Sequence, residues 1–366
     1  WAVPVVEALV ESLSTLDSAA VRTRVVANLA GQYRKPAPWT GAWFGTNPLA
    51  GEFPRKTEPW DPAGMERVFA GLRLASSDEQ PSVRREAYLG LANVGLEGLS
   101  PLRDALRKET EEGNLVVLCA AVASGGDTAA APLLGRLALN EGQTLLARRA
   151  AVEALERLPT PDALRARLGV VYARTTPPEL IAASLPNLGR DRVLPANDLA
   201  SFLEHPRSLV RESALQGLAR CDPMRLGQEA RAAIIFRLKD ESPLVRAAAC
   251  EACASLRIQV AVPIFMSLLG DPKSPSALAD SAARALCALP DARALESYLA
   301  LLDSRDPDRR QAAESALGAI RDQVQPALLA HLESGRLRGP AATAVERVLA
   351  AYEPITRWRV IGPFAR

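Results

Sequence analysis

The strongest constraint on the fold is a helical pattern that recurs every 30 to 35 residues along most of the chain. The unit is clearest in residues 240–256, DESPLVRAAACEACASL, where a short polar turn precedes a helix with Pro243 in its first turn. Apolar residues at helical spacing form one stripe on that helix, and small Ala residues allow another helix to approach closely. One such helix cannot bury its stripe alone, so the pattern predicts stacked neighbours on both sides.

One apolar position, which Cys253 occupies in this unit, recurs once per period along the chain, and we call it the anchor. A fixed period of this size in a helical pattern is the signature of a solenoid of helix pairs. The anchors are Leu29, Leu91, Val122, Leu155, Leu188, Leu218, Cys253, Leu286, Leu317 and Leu349. We therefore predict an all-α fold, a right-handed α-α superhelix of about ten helix pairs.

The turn that opens the repeat shows a second regularity. In three repeats an Asp precedes an Arg by six residues, and a fixed pair there would hold the two helices of a hairpin together. The predicted structural turn pairs are Asp78 with Arg84, Asp240 with Arg246, and Asp303 with Arg309.

The pattern D-x-S-P-x-V-R-x-A-A resembles HEAT repeats, including the bacterial variants related to phycobilin-lyase repeats, over residues 65–352. The resemblance implies a HEAT-type α-solenoid. Composition agrees with it, because 48% hydrophobic but only 5% aromatic residues favour close-packed helices over a β-sandwich. It does not indicate one function, since such arrays serve many unrelated partners.

One stretch, residues 35–62, breaks the period with a Trp-, Pro- and Gly-rich insertion. Its aromatic residues are Trp39, Trp43, Phe44, Phe53 and Trp60. Rings of this size need a surface. We expect either a structural flap that buries them or an aromatic platform that binds a carbohydrate, another ligand or a neighbouring domain.

The motif Trp39-x-Gly41-x-Trp43-x-Gly45-Thr46-x-Pro48 is similar to a segment of large modular proteins of planctomycete and verrucomicrobial bacteria. In those proteins a dehydrogenase-like β-propeller precedes a HEAT region, and a c-type cytochrome domain often follows. The family's usual Arg-Pro-Asp is Asn47-Pro48-Leu49 in this chain, so the role of that Arg or Asp is not carried over. The resemblance implies a periplasmic or secreted multidomain parent, which could itself carry a dehydrogenase-like or cytochrome domain.

The predicted organisation has four parts: residues 1–34 as the first helix pair, 35–62 as the insertion, 63–353 as HEAT-type repeats, and 354–366 as a linker or the start of a following module. In the last part, Trp358-x-x-x-Gly362-Pro363-Phe364 resembles the opening of β-sandwich modules in secreted bacterial proteins. We expect the chain to be a segment of a longer protein, and we see no membrane span in it.

Motifs for chemistry are missing from the sequence. His205 and His331 have no ligand at metal-binding spacing, and no phosphate-binding or nucleophile-elbow motif occurs. Cys250-x-x-Cys253 lies in mid-helix among Ala residues, so we interpret it as core packing. We therefore expect no enzyme activity, no cofactor and no metal.

The predicted function is a non-catalytic scaffold whose partner is a protein, either another domain of the same parent or a separate chain. One alternative is ligand or carbohydrate binding by the aromatic insertion. The other is a HEAT-like nucleic-acid-binding protein. A formal net charge of +2 and Arg residues interspersed with acids, as in Arg211-Glu212, argue against nucleic acid.

Overall fold

The computed structural model of the chain describes residues 3–36, 57–59 and 62–350, and their regular structure is almost entirely helical. The chain divides into two compact units, Trp1–Ser184 and Leu185–Arg366. Unit 1 contains α1 (Val3–Thr15), α2 (Ala19–Gly31), α3 (Pro62–Ala75), α4 (Pro81–Val94), α5 (Leu96–Lys108), α6 (Glu112–Ser124), α7 (Ala131–Leu139), α8 (Leu145–Glu156) and α9 (Pro161–Tyr172). The unit boundary falls within α10 (Pro178–Arg190).

Unit 2 continues with helices of the same kind. They are α11 (Ala196–Ser201), α12 (Ser208–Leu218), α13 (Gln228–Arg237), α14 (Pro243–Ser255), α15 (Val262–Gly270), α16 (Ser276–Ala288), α17 (Leu295–Leu302), α18 (Pro307–Glu333) and α19 (Gly339–Ala350). Short 3-10 turns precede several first helices, for example Gln259–Ala261 before α15. The predicted all-α solenoid of helix pairs is confirmed within each unit.

The helices begin where the sequence satisfies their free N–H groups. The Thr144 hydroxyl accepts the backbone N–H of Ala147 at the start of α8, and Thr160 does the same for α9. Pro81, Pro243 and Pro307 occupy the first turns of α4, α14 and α18, where the missing N–H of Pro costs nothing.

The core lies between the two helix layers, and the second helix of each pair packs against the second helix of the next. In unit 1 these are α2, α4, α6 and α8, and in unit 2 they are α12, α14, α16 and α18. Nine of the ten predicted anchors, from Leu29 to Leu317, are fully buried. Leu349 is only half-buried, because Val345 and Val348 of α19 face the core instead.

The predicted role of the Cys250–Cys253 pair is confirmed as core packing. Both thiols are buried in α14, and Cys253 takes the anchor position. Burial raises the pKa of Cys250 to about 12, so its reactive thiolate form is suppressed at neutral pH.

Short strands β1 (Arg34–Pro36) and β2 (Thr57–Pro59) pair antiparallel at the two ends of the insertion. Arg34 faces Pro59 and Pro36 faces Thr57, so the two ends are held side by side between α2 and α3. The sequence pattern did not predict this ribbon. The predicted interaction residues Trp39, Trp43, Phe44, Phe53 and Trp60 lie outside the described residues, as does the segment 354–366, and their roles stay predictions.

Candidate interaction surface

Within each of the first two predicted turn pairs, the Arg side chain binds the backbone of the Asp and not its carboxylate. Arg84 Nη1 donates to the backbone carbonyl of Asp78 at 3.0 Å, and Arg246 Nη1 donates to that of Asp240 at 2.7 Å. The expected carboxylate–guanidinium pair inside the turn does not form, because each carboxylate points at the preceding repeat. The Arg of the turn therefore fixes the backbone of its own turn, and not the Asp side chain.

The Asp carboxylates join neighbouring repeats. Arg22 of α2 donates to both oxygens of Asp78, with Nε at 2.8 Å and Nη2 at 3.0 Å. Arg211 of α12 donates to both oxygens of Asp240 in the same way, with Nε at 2.9 Å and Nη2 at 2.8 Å. Arg84 donates to Glu109 through the same two nitrogens, Nε and Nη2. We call these three pairs, Arg22–Asp78, Arg84–Glu109 and Arg211–Asp240, the arginine ladder.

The third predicted pair was aligned one residue out of register. Arg310 Nη1, and not Arg309, donates to the turn carbonyls of Ser304 and Arg305, at 2.7 and 3.1 Å. Arg309 instead forms an ion pair with Asp280 of α16. Ser304 therefore occupies the ladder position that Asp78 and Asp240 hold in their repeats, and Asp303 does not.

Glu109 is the most heavily engaged acid of unit 1. Its carboxylate accepts hydrogen bonds from Arg84, Tyr88, Asn114 and the backbone N–H groups of Thr110 and Glu111. Burial alone would raise the pKa of Glu109, but these donors outweigh it and lower the pKa to about 2. With its lone pairs saturated, the carboxylate is a structural group with no capacity left for proton transfer.

Acid is expected to destabilise unit 1 through Glu109. The pKa is depressed from 4.5 to about 2, so the stabilisation is present above pH 4.5 and is lost as pH falls from 4.5 towards 2. We expect a loss of about 2 kcal/mol over that range, allowing for solvent screening. Urea unfolding at stepped pH checks this. The variant Glu109→Gln should have a flatter pH profile there, and an unchanged profile would contradict the assignment.

A polar cleft of about 810 Å³ opens between the first helices α3 and α5. Its floor is formed by Arg84, Tyr88 and Glu109, which are bonded to one another, and Arg73 and Lys108 line its sides. Burial and the neighbouring Glu109 raise the pKa of Tyr88, so the phenol stays protonated and donates to Glu109. The floor thus forms a closed hydrogen-bond network, and none of these three groups is poised as a nucleophile or base.

The outer surface of the second helices α4, α6 and α8 carries a patch of apolar side chains. We call it the apolar face and define it by Leu89 and Ala92 of α4, Val116 and Ala120 of α6, and Ala150 of α8. Leu89 is 43% exposed, Ala92 and Ala120 are exposed, and the other two are half-buried. A shallow groove of about 70 Å³ runs between α6 and α8 on this face. Three of these five side chains are Ala, so another chain can approach the helices closely.

Exposed positive charge borders the apolar face. Arg85 and Arg157 are exposed and form no ion pair within the described part of the chain. Arg149 is paired with Glu153 one turn along α8, at 2.9 Å. The face therefore combines apolar contact area with a basic rim.

Most of the corresponding surface of unit 2 is polar, although Leu209 of α12 and Leu244 of α14 are exposed, and several of its charges are paired. Ion pairs join neighbouring second helices: Arg284 with Glu251 at 2.9 Å, Arg309 with Asp280, and Arg347 with Glu314 at 2.6 Å. These six charges are already matched within the unit, so they have less to offer a partner. The sequence pattern did not separate the two surfaces. Ala120 and Val116, which lie two and six positions before the Val122 anchor, could have indicated the difference.

The two His residues lie apart from any cluster that resembles a catalytic or metal centre. His331 Nε2 lies 3.1 Å from Glu296 Oε1, and His205 Nδ1 accepts the backbone N–H of Arg207. In the described ranges, no group of three or more His, Cys, Asp or Glu side chains could hold a metal ion. No helix in those ranges has the length and apolarity required to span a bilayer.

Comparison with known proteins supports the fold. A family model described as HEAT repeats matches residues 196–280, which include α11 to α15 and the first residues of α16. No curated protein matches the chain.

Similar solved structures are also helical solenoids. The karyopherin Kap121p bound to the SUMO protease Ulp1p has a TM-score of 0.59 at 13% identity, over 94% of this chain and 41% of Kap121p. Kap121p bound to the extreme C-terminus of the phosphatase Cdc14p gives 0.57 at 13% identity, over 94% of this chain and 42% of that one. YibA of E. coli gives 0.50 at 15% identity, over 72% and 98%. The chain thus spans about two fifths of the Kap121p structures, and likeness at this identity establishes the fold alone.

Proposed function

We propose that the protein is a non-catalytic scaffold that binds a protein segment through the apolar face of unit 1. The observation that carries the proposal is the contrast between the two units: apolar residues with a basic rim on α4, α6 and α8, against inter-helix ion pairs on α14, α16 and α18. Apolar contact area of this kind, bordered by charge, is typical of protein-binding surfaces.

The rim specifies the chemistry of the partner. Arg85 and Arg157, which form no ion pair with any described residue, favour an acidic segment. The small side chains of Ala120 and Ala150 favour a segment whose own apolar residues are large. An amphipathic helix with acidic flanks meets both requirements. Among the neighbours, Kap121p is seen with protein ligands, which supports a protein partner for a solenoid of this type. The matched charges of unit 2 support protein over nucleic acid as the partner.

The variant Ala120→Glu is expected to abolish partner binding. Because Ala120 is exposed, its free energy of unfolding should stay within about 0.5 kcal/mol of that of the unsubstituted chain. A carboxylate there places an uncompensated charge in the middle of the apolar face. The measurement is the set of proteins from the source organism that the immobilised chain retains, quantified by mass spectrometry. The matched control is Ser315→Glu, since Ser315 is exposed and precedes its anchor by two residues, as Ala120 does.

Two results would decide against this surface. The same proteins retained at the same level by Ala120→Glu and the parent chain would show that binding occurs elsewhere. Retention that disappears steeply with salt and requires nucleic acid would indicate the nucleic-acid alternative.

We further propose that the scaffold works outside the cytoplasm as part of a longer polypeptide. The resemblance of residues 39–48 to the HEAT region of secreted modular bacterial proteins supports this. Fractionation of the source organism, with an antibody against unit 1, measures it. Detection of the chain only in the cytoplasmic fraction would reject the proposal.

A further inference from the structure

The polar cleft between α3 and α5 is a gap in the layer of first helices. In that layer α1 packs against α3 and α7 packs against α9, whereas a volume of about 810 Å³ lies between α3 and α5. The Tyr88 hydroxyl lies 3.4 Å from the carbonyl oxygen of Ser76, just after α3, and donates to Glu109 Oε2 at 2.9 Å, just after α5. The ends of the two helices therefore meet at the floor of the cleft, and the helices form its walls.

Two positive charges without a counter-ion lie at the floor end. Arg73 is in the last turn of α3, and Lys108 is the last residue of α5. Both side chains are exposed and line the cleft, and neither forms an ion pair within the described residues. The guanidinium of Arg73 stacks on Phe69, 5.9 Å from the ring centroid. Asp78 and Glu109 do not neutralise these cations, because both carboxylates are already paired in the arginine ladder.

The opposite end of the cleft is acidic. Glu97 lies in the first turn of α5, eleven residues before Lys108, and is exposed without an ion pair in the described part of the chain. Asp104, between these two residues, is paired with Arg107 on its own helix. At 1.5 Å per residue of helix, Glu97 and Lys108 are about 16 Å apart along α5. The cleft thus offers an acid at one end and two cations at the other.

Hydroxyl groups line the walls of the cleft. Ser77, Ser100 and Thr110 are exposed there, and their side chains form no hydrogen bond with another described residue. A hydroxyl both donates and accepts, so these groups suit the N–H and C=O groups of a polypeptide backbone. An extended backbone advances about 3.3 Å per residue, so a segment of about five residues covers the distance between the charged ends. A free amino acid is too short to reach both.

We propose that the cleft between α3 and α5 binds an extended peptide segment of a partner protein. An acidic side chain of the segment pairs with Arg73 and Lys108, and a basic side chain about five positions away pairs with Glu97. First helices form this site, whereas second helices form the apolar face, so the cleft is a second interaction surface of unit 1. It does not rest on the proposed function of the apolar face.

The test selects peptides from a phage-displayed library of random linear dodecapeptides on the immobilised whole chain. We expect the selected sequences to be enriched in pairs of an acidic and a basic residue about five positions apart, compared with the unselected library. One such peptide is then synthesised with a fluorescent label, and its Kd is measured by fluorescence anisotropy. A selection that gives no enrichment of this spacing overturns the proposal.

Charge reversal locates the site. Glu97→Lys should weaken binding of the selected peptide about tenfold or more, and replacing the basic residue of the peptide with Glu should restore the affinity. Lys108→Glu should weaken binding in the same way, because the acidic residue of the peptide then meets a like charge. The matched control is Glu141→Lys, an equal charge change at an exposed position outside the cleft, which should leave the Kd unchanged.

Two results from these variants would reject the cleft. Equal losses in Glu97→Lys and Glu141→Lys would show that only the net charge of the chain matters. A loss in Ala120→Glu with none in Glu97→Lys would place the peptide on the apolar face, in agreement with the proposed function and against the cleft. If the cleft is the site, Ala120→Glu binds the peptide as the unsubstituted chain does.

Discussion

Replacing Asp240 with Asn is expected to destabilise unit 2 by about 3–5 kcal/mol. The Asp240 side chain is 2% exposed and accepts hydrogen bonds from Arg211, Arg237 and the backbone N–H of Ser242. The amide keeps the shape but removes the charge, and its N–H₂ group faces a donor. Arg211, which is 6% exposed, then keeps only Glu241 as a counter-ion, at 3.2 Å, and that carboxylate is largely solvent-exposed. The free energy of unfolding in urea measures the loss.

The matched control for this change is Glu251→Gln on α14. Glu251 also pairs with an Arg of a neighbouring repeat, Arg284 at 2.9 Å, but both side chains are more than half exposed. An exposed pair contributes at most about 1 kcal/mol, so the control should be nearly neutral. If Asp240→Asn and Glu251→Gln cost the same, the ladder does not hold the repeats together.

Gly189→Ala is expected to cost about 3 kcal/mol, because α10 and α12 touch through their backbones at this point. A Cβ added at Gly189 would lie 2.2 Å from the carbonyl oxygen of Gly217 and 2.7 Å from its carbon. These are backbone atoms, so relief requires a shift of one helix against the other and not a side-chain rotation. The shift also strains the hydrogen bond from Arg220 to the carbonyl of Pro186. Urea unfolding measures the cost.

Gly318→Ala in α18 is the comparison for that substitution. An added Cβ there meets nothing within 4 Å, and the position is exposed in mid-helix. Ala is the better helix former, so this variant should gain up to about 1 kcal/mol. A lower free energy of unfolding for Gly189→Ala and a higher one for Gly318→Ala would show that the cost at Gly189 comes from the backbone contact. A gain at both positions would contradict the close approach.

Periodicity predicted the repeats well, because burial imposes it. A residue such as Leu91 or Cys253 must face the core in every repeat, so the pattern could be read without knowing what packs against it. Residues 307–350 were harder to predict. There the anchor shifts to Val345, and α18 runs for 27 residues through Pro326, so the period no longer maps one helix to one repeat.

The partners of the turn residues could not be predicted from the pattern. The six-residue spacing of Asp240 and Arg246 is real, but a spacing does not show which way a carboxylate points. Arg211, 29 residues earlier, is brought to Asp240 only by the stacking of α12 on α14. The apolar face was missed for a related reason: small residues such as Ala120 serve equally for helix contact and for exposure, and only the structure separates the two.

The ribbon of β1 and β2 brings together the two ends of a long connection between neighbouring helix pairs. Arg22 reaches Asp78 across 56 residues with the geometry that Arg211 has across 29. Loop-closure entropy grows only slowly with loop length, so the extra residues add little to the cost of bringing the two helix pairs together. An array of this kind can therefore acquire a long connection between two repeats without giving up the ion pair that joins them.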